Sequence, residues 1–426
     1  MFRACSARPS AWADKDAVGS TQISNCTPCC TSSGRPGVRD PPHRAGHRCR
    51  QRRLVIESRA TAQQQAMGPP LKQDDLDSRL ERDVVSAVLH LREHGWAVIN
   101  DVITREDCEQ YVSSLWDWLE GLGTGISRLD PSTWRSPHWP PAFKGIINCL
   151  EVSHQAFVWR IRGNARLIKV FEKLWGTNEL LSSFDSINCL PPSSATGVPN
   201  DQTSWLHADQ APLRRGFFCI QGLVNMVDVG PDTTGTLLVK DKSHEGHAPF
   251  FETACTLSQA EKAATTDHYQ LKAQELPFFD CYESMGLCGK AGSVFLWDSR
   301  TIHANTVPAL TDHWRHVVYA CYQPRSFARE EDLRLKAQAW EEYRVTTHWP
   351  ARNVHLFPKS QPGKGYYGED VSTVQYTLDR NRDALKDQHR IKQLAGVEEY
   401  TPAEIRQDVP LLEMEDSRLL ELVQQL

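Results

Sequence analysis

The chain has 426 residues, 40% of them hydrophobic and 24% charged, with a formal net charge of -5. That is the profile of a soluble globular protein, long enough for one large domain with extensions or for two ordinary ones. The acidic balance argues against a general nucleic-acid binder, and no apolar run reaches the roughly 18 to 20 residues that cross a bilayer.

Residues 1–75 form an N-terminal segment rich in Arg, Ser, Pro and Cys, without sustained apolar periodicity. Its basic bias suits a disordered or targeting segment, although Asp14, Asp16, Asp40 and Glu57 are more acid than transit peptides usually carry. Met67 is an alternative initiator. Cys26, Cys29, His43 and His47 fall at zinc-finger spacing, but Pro41 and Pro42 break any helix that would carry the histidines, so the pattern reads as coincidence. The eight cysteines after residue 50 are scattered singly, as expected of free thiols in a reducing compartment, with Cys189, Cys219 and Cys321 as buried small hydrophobes. The expected location is intracellular: the cytoplasm, or an organelle if residues 1–66 are a transit peptide.

Residues 76–325 make the main domain. A helix is expected over 77–94, where Leu80, Val84, Val85, Val88 and Leu91 recur at helical spacing and Gly95 ends the run. A short strand over 96–100 follows. Thr104 caps a second helix with Tyr111, Val112, Leu115 and Leu119 inward, and a third covers 164–175, stopped by Gly176. From about 180 to 325 the texture is strands, at 180–188, 216–228, 235–239, 292–297 and 316–322, punctuated by Gly, Pro and Asp. The fold class is therefore mainly β with flanking helices. Residues 326–426 read as a helical C-terminal extension, notably over 330–343 and 401–426.

The chemistry centres on His207-Ala208-Asp209 and, far downstream, His303. Two imidazoles and a carboxylate on one face of a metal leave positions open for co-substrate and O2, the arrangement of non-haem Fe(II) oxygenases. Residues i and i+2 of an extended segment point the same way, so His207 and Asp209 can reach one ion. The H-x-D pattern alone is common. Its context adds weight, because His303 follows a strong strand over 292–298. Arg315 opens the next strand and shares a face with Val317, Tyr319 and Cys321. A guanidinium on an apolar face is costly unless an anion meets it, and the far carboxylate of 2-oxoglutarate suits a bidentate pair; a structural carboxylate is the alternative. Trp205, Gln210, Gln221, Trp297 and Tyr319 are candidates to line the pocket. His244 and His247 fit a polar turn better than a metal site.

Together with these residues, the segment from Gly235 to His244, which runs through Leu237, Val239 and Ser243, resembles the phytanoyl-CoA dioxygenase-like family. In that family such a stretch leads into a Gly-Ser-His turn; here Lys242 stands in place of the Gly. The resemblance covers about 90–325. It implies a double-stranded β-helix (jelly roll), with His207, Asp209 and His303 as iron ligands and Arg315 binding 2-oxoglutarate. Asn305 occupies a position often Ser in relatives and is a second candidate for the same carboxylate. Because Asp209 is present where related halogenases carry a small residue, hydroxylation or another oxidation is implied, acting on a small or mid-sized organic substrate with release of succinate and CO2. Two other readings stay open: a jelly-roll scaffold that has lost catalysis, and a cupin-type metalloenzyme without 2-oxoglutarate. Neither the substrate nor the oligomeric state is legible.

Overall fold

The computed structural model describes residues 73–265, 268–358, 372–378 and 388–426. The expectations for the N-terminal segment, its zinc-finger spacing and Met67 lie outside them. Helices are α1 (Gln73–His94), α2 (Arg105–Gly121), α3 (Ala156–Arg162), α4 (Ala165–Trp175), α5 (Ser193–Thr196), α6 (His247–Thr253), α7 (Gln259–Ala264), α8 (Glu330–Glu342), α9 (His389–Ala395) and α10 (Asp416–Gln425). Strands are β1 (Trp96–Ile99), β2 (Ile146–Ile147), β3 (Leu180–Ser182), β4 (Ile187–Leu190), β5 (His207–Ala208), β6 (Ile220–Asn225), β7 (Thr236–Lys240), β8 (Tyr269–Gln270), β9 (Ser284–Gly286), β10 (Val294–Asp298), β11 (His303–Thr306), β12 (Arg315–Tyr319) and β13 (Tyr322–Pro324).

Two antiparallel sheets face each other, one ordered β1-β10-β6-β12-β4-β2 and the other β8-β5-β11-β7-β9. This is the jelly roll with flanking helices that the resemblance implies. Strand alternation decides what each face does. On β10, Val294 and Leu296 join the large core shared with α1, α2, α3 and α4, while Phe295 and Trp297 point between the sheets. There they meet Leu223 of β6, Leu237 and Val239 of β7, and Val317 of β12. Fully burying one such large side chain contributes about 1.5–3 kcal/mol.

The helix boundaries follow from caps. Thr104 Oγ1 accepts from Asp107 N at 3.1 Å, and Asn164 Oδ1 accepts from Arg166 N at 3.0 Å. Gly95 and Gly176 end α1 and α4 at positive φ. Gly292 has a stricter reason. Its φ is +84°, and a Cβ there would lie 1.9 Å from the carbonyl oxygen of Ile103. Its own carbonyl accepts from Val102 N and Ile103 N, fastening β10 to the loop before α2. Gly292→Ala is therefore expected to destabilise the fold by about 3 kcal/mol or more. Urea unfolding would show it as a lower midpoint at unchanged slope; an unchanged midpoint would mean the loop yields freely.

Three expectations need correction. The 180–188 run is two strands in different sheets: β3 pairs with β13 and β4 with β12, because the chain changes sheet through 183–186. The 316–322 run likewise breaks after Tyr319, where Ala320 N turns to bond Gly222 O. In the tail, 401–426 is helical only over α10 and a short turn at Leu411–Glu413. Pro402 and Pro410 interrupt it, and the intervening chain straps onto α4's end through Arg406 N to Asn178 Oδ1 at 2.7 Å and Asp408 N to Gly176 O at 2.7 Å. The segment after 326 shares the main core: Ala339, Trp340, Leu394 and Leu419 are buried in it.

Candidate metal centre

Strand register brings the two histidines together. β5 and β11 pair antiparallel with His207 directly opposite His303, and the ring centroids lie 4.3 Å apart. Each ring is held by its Nδ1, which donates to a backbone carbonyl: His207 to Trp205 O at 2.9 Å and His303 to Thr301 O at 2.9 Å. A carbonyl can only accept, so Nδ1 carries the proton and Nε2 keeps its lone pair for a metal. Burial, then repulsion from His303, pulls the His207 imidazole down to about 3, so it is neutral and ready to ligate.

Asp209 closes the set. Its Oδ1 lies 3.4 Å from His207 Nε2 and its Oδ2 3.2 Å from His303 Nε2. One ligand atom from each residue falls within 4.8 Å of the others, and among the described residues no other group of His, Cys, Asp and Glu does so. Burial opposes ionisation of Asp209, but His348, His207 and His303 outweigh it and hold the carboxyl well below the usual carboxylate range. Gln221 Nε2 donates to Asp209 Oδ2 at 3.1 Å, and Trp349 Nε1 donates to the Asp209 backbone carbonyl at 3.0 Å.

Arg315 points between the sheets and is fully buried. Nη1 donates to Gly235 O at 2.9 Å and Nη2 to Asn305 Oδ1 at 3.0 Å. No carboxylate of the described residues pairs with it, and Nε makes no hydrogen bond. Burial lowers the guanidinium to about 10, with Tyr319 opposing, so it stays charged at neutral pH. Asn305 Nδ2 donates to the Tyr319 hydroxyl at 2.6 Å, joining all three predicted residues in one network.

The remaining predicted residues divide. Trp205 stacks on His207 at 4.5 Å between centroids and donates from Nε1 to Asn305 O. Trp297 lies 5.2 Å from the His303 ring, and its buried Nε1 has no hydrogen-bond partner among the described residues. Gln210 is turned away: its amide bonds Arg214 O, Gly216 O and the Ser299 hydroxyl. His244 and His247 bond the carbonyls of Arg92 and Gln210, apart from the triad. Lys242, where the resemblance implies Gly, adopts φ +63°. The turn it enters places Ser243 Oγ to accept from Ile302 N at 2.8 Å, next to His303. Sequence reasoning misses His348 and Trp349, since nothing in the tail marks them.

The donor set, two neutral imidazoles and one ionised carboxylate, fits a divalent metal of the Fe(II) type. The orphaned Arg315 Nε, beside two fixed hydrogen bonds, suits a carboxylate ligand.

No protein-family model matches the chain. The protein described as "Ava biosynthesis cluster protein O" from Aspergillus versicolor is 32% identical over 267 residues, covering 61% of this chain and 84% of that one. The chain belongs to that protein's family. The fold agrees with the resemblance to phytanoyl-CoA dioxygenase-like proteins read from the sequence, and His207, Asp209 and His303 lie together in one cluster. Among solved structures, EctD from S. alaskensis, with 2-oxoglutarate and 5-hydroxyectoine, is 15% identical over 56% of this chain and 75% of that one, with a TM-score of 0.38. A putative oxidoreductase from Salmonella typhimurium LT2 is 13% identical over 70% and 82%, with a TM-score of 0.40. Superpositions this loose carry no weight for function.

Proposed function

We propose that the chain is an Fe(II)- and 2-oxoglutarate-dependent oxygenase of a small or mid-sized organic molecule. The observation that carries this reading is the pairing of the His207–Asp209–His303 cluster with a buried Arg315 that meets no carboxylate among the described residues. The complete ligand set argues against a lapsed scaffold, and a buried guanidinium needing an anion argues against a metalloenzyme without a carboxylate co-substrate. The fungal relative's description sets that protein in a biosynthesis cluster, which supports a small-molecule substrate here.

His207, Asp209 and His303 would hold the iron. Arg315, with Asn305 beside it, would anchor the far carboxylate of 2-oxoglutarate. When bound, iron with 2-oxoglutarate and O2 supplies the oxidising chemistry, with succinate and CO2 as by-products. The chain's own residues bind and orient. Trp205 and Trp297 wall the triad on two sides, restricting water and fixing the rings. Tyr319, held by Asn305, keeps the anchor rigid. No protein nucleophile is required.

Full-length protein supplied with Fe(II), 2-oxoglutarate and O2 is expected to form succinate, and Asp209→Ala to form none above the enzyme-free rate. Equal succinate from the two proteins would sink the proposal.

A further inference from the structure

The two histidine ligands are placed by strand pairing, but Asp209 is not. β5 ends at Ala208, so the carboxylate ligand lies just past the ladder, in a bend with no strand partner. Something else must hold it, and two groups do so from elsewhere in the chain. Gln221 on β6 grips the carboxylate; Trp349, from the segment after the barrel, grips the backbone carbonyl.

That segment is built for the task. Thr346 N donates to Phe184 O at 3.0 Å, and Phe184 N donates back to Thr346 Oγ1 at 3.2 Å, pinning it to the break between β3 and β4. Its two arms bond each other, Thr347 N to His355 O at 3.1 Å and Phe357 N to Val345 O at 2.9 Å. Ala351 N reaches Gln323 Oε1 at 3.3 Å. Trp349 is 1% exposed and packs with Cys219 and Cys321, while the Arg214 guanidinium lies 4.6 Å from its ring centroid. The preceding residue, His348, sets Nε2 4.0 Å from Asp209 Oδ1.

We propose that residues 345–357, after the jelly roll, complete the metal site, with Trp349 and His348 as positioning residues for Asp209. The inference rests on the metal-site reading above and extends it: the tail is part of the site and not an appendage. Groups that orient a ligand typically contribute 10- to 100-fold in metal affinity, roughly, without touching the ion. Trp349 acts through one N–H, so a phenylalanine there keeps most of the packing and loses the bond.

The test uses the full chain titrated anaerobically with Fe(II), and with Mn(II) followed by its paramagnetic resonance signal. Trp349→Phe is expected to weaken metal binding about tenfold. His348→Ala should weaken it by less, while both keep the wild-type circular dichroism and melting temperature without metal. Glu421→Ala, on the exposed side of α10 and away from the segment, should bind metal as wild type does. Wild-type affinity in a folded Trp349→Phe would overturn the inference and leave the metal site standing. Should Trp349→Phe fail to fold, the decision passes to His348→Ala, where unchanged affinity and an unchanged Mn(II) signal overturn it. Failure of the wild type to bind either metal would instead remove the reading on which the inference rests.

Discussion

Arg315→Ala is expected to raise the 2-oxoglutarate concentration needed for half-maximal succinate formation by about 100-fold, while Fe(II) binding alone stays unchanged. Removing one partner of a buried charge pair costs about 2–5 kcal/mol, and roughly 3 kcal/mol corresponds to that factor. The guanidinium fork is already aligned by Gly235 O and Asn305 Oδ1, so little ordering is left to pay on binding. Arg315→Lys should recover only part of the loss, because an ammonium offers no planar fork. A requirement unchanged in Arg315→Ala would show that the arginine serves the barrel's packing alone.

The second large effect concerns the ligands. His303→Ala is expected to abolish measurable Fe(II) binding, a greater loss than the roughly 10- to 100-fold that supporting contacts contribute. The metal-free fold should survive, because β11 keeps its pairing to β7 through Ala304, Asn305 and Thr306. The side chain's own bond to Thr301 O is worth only about 1 kcal/mol. Calorimetric titration together with thermal unfolding separates the two. Metal affinity retained in a folded His303→Ala would exclude the triad as the binding site.

Much of this was legible in the residues. The second helix could be read because Thr104 caps it within a few residues of its own sequence position, and the inward face of β12 because alternation is local. The H-x-D spacing is a local pattern that pointed to His207 and Asp209, and the structure brings His303 opposite His207 by register. What could not be read depends on contacts remote in sequence. The 180–188 run carries no mark of where the chain leaves one sheet for another, because both halves are equally buried. Gln210 sits beside Asp209 in sequence, yet alternation and its bonds to Arg214 O and Gly216 O take it elsewhere. Trp349 meets Asp209 across 140 residues, from a stretch with neither helical nor strand periodicity. The 401–415 chain looked helical by composition, but Pro402 and Pro410 and its bonding to α4's end keep it from forming a continuous helix.

The central claim is that His207, Asp209 and His303 hold iron next to an Arg315-anchored 2-oxoglutarate. Its most direct test is anaerobic addition of Fe(II) and then 2-oxoglutarate to the full-length protein, followed by visible absorbance. The account predicts a weak charge-transfer band that needs both additions and vanishes in His207→Ala. No band in the wild type, or an equal band in His207→Ala, would contradict it.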